Sequence, residues 1–150
     1  MTRMFAIAWI ITVLSLASLS YADDKDKAAE EDKKFEGTWQ MTALEIGGNK
    51  AQNEAFETMT FVFKGKKYEQ KIGDDIVEAG TQDLDPSKQP KHMDVNVTEG
   101  DAKGKKQLAI YEISGDTLKM CFAPHESKDR PSKFESKEAG HQCLELKRKK

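Results

Sequence analysis

The chain has 150 residues, 24 of them Lys or Arg and 26 Asp or Glu, giving a formal net charge of −2, with two cysteines. That length is enough for one domain with a real core. The near-balanced charge gives solubility and excludes a global attraction to nucleic acid.

Residues 1–22 read as an export signal. Arg3 supplies the positive start, Phe5 to Leu19 form an apolar stretch broken only by Thr12, Ser15 and Ser18, and Ser20-Tyr21-Ala22 offers small residues at the −3 and −1 positions of a cleavage site. The apolar stretch is shorter than the roughly 20 residues of a membrane span, although a retained N-terminal anchor is the alternative. No Cys lies near the cleavage point for lipid attachment. The expected destination is the periplasm or the cell exterior, with no stable membrane insertion after cleavage.

Residues 23–34 are almost entirely charged and read as a linker, with a short helix from about Lys27 to Phe35. Ala28, Ala29, Glu30 and Lys33 favour helix, but the apolar surface is too small to hold it unaided. Phe35 is the expected docking point. The folded domain is placed at 35–150.

From Trp39 onward the helical period gives way to alternation. The spacing predicts strands at 38–46, 58–64, 67–72, 75–83, 92–98, 107–113, 116–122 and 141–148, with one helical turn within 50–57. Gly47-Gly48-Asn49-Lys50, Gly65-Lys66, Gly73-Asp74, Asp85-Pro86-Ser87, Gly100 to Gly104 and Gly115-Asp116 supply the turns. The longest irregular piece is 124–140.

Alternation also sorts the faces. Met59, Phe61 and Phe63 share one side of the second strand, and Met93, Val95 and Val97 one side of the fifth. Leu118, Met120 and Phe122 oppose Lys119 and Cys121, and Leu144 and Leu146 oppose Cys143 and Glu145. The sixth strand is ambiguous, because Leu108 and Ile110 compete with Ala109, Tyr111 and Ile113 and leave Glu112 awkward. One wet face per strand marks an antiparallel sheet with a single buried side. Eight such strands with short turns close into an all-β, up-and-down barrel without exposed edges, preceded by a short N-terminal helical turn. Trp39, two residues after Gly37, and Arg148 then fall on the inner faces of the first and last strands. A guanidinium over an indole pins the register of that seam.

These residues resemble the lipocalin-like (calycin) superfamily, whose first strand carries Gly-x-Trp and whose last carries a basic residue over that Trp. More closely, the chain is similar to an uncharacterised domain family expanded in secreted planctomycete proteins. The likeness rests on Gly37-Thr38-Trp39-Gln40, Thr60-Phe61-Val62-Phe63 and Leu84-Asp85-Pro86-Ser87-Lys88-Gln89-Pro90-Lys91. It continues through Ile110-Tyr111-Glu112-Ile113, Gly115-Asp116-Thr117-Leu118, Cys121-Phe122-Ala123, Arg130-Pro131 and Leu146-Lys147-Arg148. The resemblance implies a lipocalin-like barrel in the envelope or outside the cell. It brings no established activity, cofactor or catalytic residue.

The inner row of Met59, Phe61, Phe63, Met93, Val95, Leu118, Met120 and Phe122 either fills the barrel or lines a pocket for a small hydrophobic ligand. Cys121 and Cys143, both on the outer face of the last two strands, suit one disulfide in an exported chain. The competing reading is a zinc site from Cys121, His125, His141 and Cys143, whose spacing matches no familiar zinc motif. No nucleophile motif, Walker-type loop or paired-carboxylate pattern occurs, so neither enzymatic activity nor a cofactor is expected. The basic end, Lys147-Arg148-Lys149-Lys150, reads as a solvated terminus. The expected function is a monomeric binding module for a small apolar or amphipathic ligand. The alternative is an envelope interaction domain acting through its outer face and the 124–140 loop.

Overall fold

Alternating polarity resolves into one antiparallel sheet that closes on itself. The computed structural model describes residues 17–51 and 54–150, with side chains described from residue 23 onward except Ala55. Most of the expected export signal, 1–16, lies outside the described residues. The elements are α1 (Ala17–Phe35), β1 (Gly37–Ile46), β2 (Asn49–Lys50), a 3-10 turn (Glu54–Thr58), β3 (Met59–Lys64) and β4 (Lys67–Ile72). They continue with β5 (Asp75–Asp85), β6 (Lys91–Gly100), β7 (Lys106–Ser114), β8 (Thr117–Phe122) and β9 (Gln142–Arg148). The bounds of the eight long strands lie within two residues of those expected from alternation.

β2 is a two-residue stub folded back on the end of β1, in a segment expected to be turn only. The other eight strands form an up-and-down barrel, sealed where β1 pairs with β9 from Trp39↔Arg148 to Ile46↔Gln142. The ambiguity in β7 is settled by its partners. Ala109, Tyr111 and Ile113 face the core, Glu112 faces solvent, and Ile110 points outward yet is fully buried.

The segment 123–141 lies along the outer wall on this side of the barrel. Arg130 donates to the carbonyls of Met93 (2.8 Å) and Ala109 (2.6 Å) and pairs with Asp94. Ser136 is buried and donates to Glu45 Oε1 at 2.8 Å while accepting from Gly48 N. Beneath this cover Cys121 and Cys143 are register partners, 4.1 Å apart at Cα, and form a disulfide. Closing the intervening loop stabilises the fold by about 3 kcal/mol. The thiolates a zinc site would need are therefore consumed. Among the described residues no group of three His, Cys, Asp or Glu converges as metal ligands.

The charged stretch 23–34 is not a linker but most of α1. Ala28, Glu31, Asp32 and Phe35 fall on one face at helical spacing, and that face docks against the end of the barrel. Phe35 is fully buried, edge-on to Phe63 (5.2 Å between centroids) and Tyr111 (5.1 Å). Lys33 and Lys34 occupy the last turn, where cations suit the helix dipole. The helix expected from about Lys27 to Phe35 and its docking through Phe35 are both observed, with the helix beginning earlier, at Ala17; tertiary docking supplies the apolar contact that its own surface lacks. Among the described residues no helix is long and apolar enough to cross a membrane.

Candidate functional site

The two ends of the barrel differ. The end beneath α1 holds the β3–β4, β5–β6 and β7–β8 connections and is filled by Phe35, Trp39, Tyr111, Leu118 and Leu146, all essentially inaccessible. The opposite end is less full. There a chamber of about 170 Å³ opens among Met59, Phe61, Met93, Val95, Met120 and Phe122. Its remaining apolar lining is Met41, Leu44, Phe63 and Leu144. Seven of the eight residues expected to line a pocket do so. Leu118 does not: β8 starts at the α1 end, and Leu118 pairs with Leu146 and Ile113 in the packed layer.

Two small residues lie on the inner face of the barrel wall. Gly80 lies on the inner face of β5 at a register shift between Ala79 and Gly80, and the Tyr68 ring occupies the space a side chain would take there. Ala109 is the other small inward residue in the wall of the barrel.

The lining also carries polar groups that alternation did not reveal. Glu78, Gly80, Gln82 and Leu84 share the parity of the inner face of β5, so this strand presents a polar strip to the interior. The Tyr68 hydroxyl donates to Glu78 Oε1 at 2.8 Å. Burial and the Glu78 carboxylate both push the phenol's pKa up, so it stays protonated as a donor. Gln82 is fully buried; its Nε2 donates to Gly65 O at 2.8 Å, which fixes the amide orientation. Its Oε1 has no hydrogen-bond partner. Because Gly65 belongs to the β3–β4 turn, Gln82 marks the deep end of the chamber, and Glu78, four residues earlier on β5, lies nearer the opening.

The opening is rimmed by Gln107, Gln142 and His125. Gln107 Nε2 donates to Ala123 O at 2.7 Å, and Glu126 is bound to Lys106 through both its main chain and its carboxylate. These contacts clamp the start of the 123–141 segment on β7 and hold His125 over the chamber, where its Nε2 is buried without a partner. The sequence signal for His125 was only its place just after β8; nothing local showed that the loop folds back.

The other histidine weighed as a ligand, His141, is buried beside Glu138, with Nε2 3.5 Å from the carboxylate. His92 lies in β6, where burial and the Arg130 charge lower its pKa. Among the described residues, four large apolar side chains are exposed, Ile46, Ile72, Ile76 and Val77, the last three on the β4–β5 hairpin. In comparisons with known proteins, the chain matched no family model, no curated protein sequence and no solved structure.

Proposed function

We propose that the chain is an exported lipocalin-like binding protein, acting as a monomer and without catalysis, that holds one small amphipathic molecule inside its barrel. The observation that carries this reading is the chamber itself, apolar along most of its wall and open at one end. Its volume of about 170 Å³ sets the scale. A dry protein cavity of about 150 Å³ takes a benzene-sized molecule, whereas drug-sized ligands need roughly 300 Å³ or more. A long acyl chain or a large chromophore could not be wholly enclosed by it. Export is supported by the N-terminal pattern and by the disulfide, a bond that persists in oxidising compartments.

The interaction reading has less support. The 124–140 segment spends Arg130 and Ser136 on its own attachment to the barrel, and among the described residues most of the exposed large apolar side chains lie on the β4–β5 hairpin. The test is native mass spectrometry of the protein purified from its own host. An added mass of about 80–150 Da, matching six to ten heavy atoms, is the expected result. A bare mass, together with no binding to a panel of small aromatic and aliphatic amphiphiles, would sink the proposal.

A further inference from the structure

The wall of the chamber carries one carboxylate, Glu78, and among the described residues no cation balances it. We infer that the ligand is a small organic cation, a protonated amine on an apolar body of about six to nine heavy atoms, whose ammonium pairs with Glu78 near the mouth. This rests on the binding function proposed above and deepens it.

Glu78 faces the interior. It has the inward parity of β5, it lines the chamber, and its Oε1 accepts from the hydroxyl of Tyr68, itself a residue of the wall. The residue is half-buried rather than sealed. Among the described residues its Oε2 makes no hydrogen bond or ion pair, yet it is not one of the enclosed atoms left without a partner, which are Asp32 Oδ1, Gln82 Oε1 and His125 Nε2. Oε2 is therefore within reach of solvent and of a ligand entering by the mouth.

Charge sets the class of ligand. Glu31, the buried carboxylate of α1, is paired with Lys34 and Lys91, whereas no Lys or Arg lines the chamber to serve Glu78. His125 does not serve it either, since its Nε2 has no partner. An ammonium supplies the missing charge through N–H···O bonds of the stronger, charge-assisted kind, and an anion is repelled. Depth suits this arrangement. Glu78 lies nearer the opening than Gln82, so the ammonium keeps part of its hydration while the body goes deeper. There Met93, Met120, Phe61 and Phe122 form the wall. Thioethers sit favourably against ring edges, and aromatic rings prefer edge or offset partners, so an aromatic body fits best. A volume of about 170 Å³ admits one substituted six-membered ring and little more.

The experiment titrates the full mature chain, labelled at the methionine methyls, with benzylamine, benzyl alcohol and benzoate at neutral pH. Benzylamine and benzyl alcohol have the same number of heavy atoms and differ in charge. Benzylamine is expected to bind about tenfold more tightly, as one charge-assisted hydrogen bond at a half-exposed carboxylate allows. Both should shift the Met93 and Met120 methyl resonances, which places the ring in the chamber rather than on the outer surface. Benzoate should leave them unmoved. Glu78→Gln keeps the shape and the acceptor for Tyr68 but removes the charge, so the ratio of the two affinities should fall to within about twofold. The wild-type ratio stands on its own should that variant unfold. Equal binding of benzylamine and benzyl alcohol, or tighter binding of benzoate, would overturn the amine assignment and leave the chamber a binding site. A preference for benzylamine that survived Glu78→Gln would overturn the role of Glu78. Failure of every compound to shift Met93 and Met120 would end both this inference and the binding function.

Discussion

The Arg148 guanidinium carbon lies 4.2 Å from the centre of the Trp39 ring, directly across the β1–β9 seam. The same pair also closes the end of α1. Trp39 Nε1 donates to Phe35 O at 2.7 Å, and Arg148 donates to Lys34 O at 2.7 Å and to Glu36 O. Three successive carbonyls at the helix C-terminus, which no residue of the helix itself can satisfy, are thus taken up by the first and last strands of the barrel. The barrel seam and the docking of α1 are one structural unit.

Trp39→Ala is expected to cost about 3–5 kcal/mol, because it empties a fully buried site. Arg148→Ala is expected to cost about 1–2 kcal/mol through the lost stacking and the stranded carbonyls. The double variant should lose less than the sum, since each single change already disables the shared contact. Urea unfolding of the four proteins measures the coupling. Additive losses would mean that the contact contributes nothing to folding.

The seam was legible in the sequence because it rests on parity. In a strand the side-chain period is two, so Trp39 and Arg148 fall on faces fixed by their apolar neighbours. The same rule placed Phe61, Met93 and Met120 correctly in the lining. It failed for Glu78, Gln82 and Gln107, because an alternation reading assigns polar residues outward and has no way to see one that turns in. It also cannot tell depth along the barrel, which is why Leu118 was grouped with the lining. The helix, expected only from about Lys27 onward, and His125 were less legible for another reason. Both are held by contacts between segments far apart in sequence, Arg148 with Glu36 and Glu126 with Lys106.

Adjacent carboxylates on α1 have opposite effects on folding. Burial of Glu31 would raise its pKa, but hydrogen bonds from Lys91 Nζ (2.7 Å) and Lys34 Nζ (3.0 Å) outweigh that and hold it below its usual value. Asp32 is also buried, but its Oδ1 has no partner, and burial pushes its pKa up with only partial relief from the Lys66 charge. The folded pKa of Glu31 is depressed, so its contribution is complete above the unfolded value of 4.5 and disappears as pH falls through the folded value. The raised folded pKa of Asp32 means that its carboxylate opposes folding at neutral pH. That penalty lifts as pH falls through the raised value. Glu31→Gln should therefore lower stability at pH 7 by about 1–2 kcal/mol, and Asp32→Asn should raise it by about 0.5–1 kcal/mol. Both differences should shrink at acid pH. Chemical denaturation at neutral and acid pH checks them, and two losses of the same sign at pH 7 would refute the assignment.

Gly80 lets Tyr68, a residue of the chamber wall, pack closely against β5. A Cβ there would lie 2.2 Å from Asn96 O and 2.8 Å from Tyr68 Cε1. The ring can move, but the carbonyl belongs to β6, whose ladder with β5 holds it in place. Gly80→Ala should therefore destabilise the protein by about 3 kcal/mol through overpacking, close to the upper end for one added methyl. The Tyr68 ring would be driven toward the chamber, parting its hydroxyl from Glu78. Its phenol should then titrate closer to the ordinary value of about 10 than in the wild type. Gly65→Ala is the control. At Gly65 a Cβ meets nothing within 4 Å, so only its positive φ of 55° is strained, costing about 1 kcal/mol. Thermal unfolding ranks the two variants, and a spectroscopic titration follows the tyrosine. If Gly80→Ala proved as mild as Gly65→Ala with Tyr68 unmoved, the space above β5 would not be set by the missing side chain.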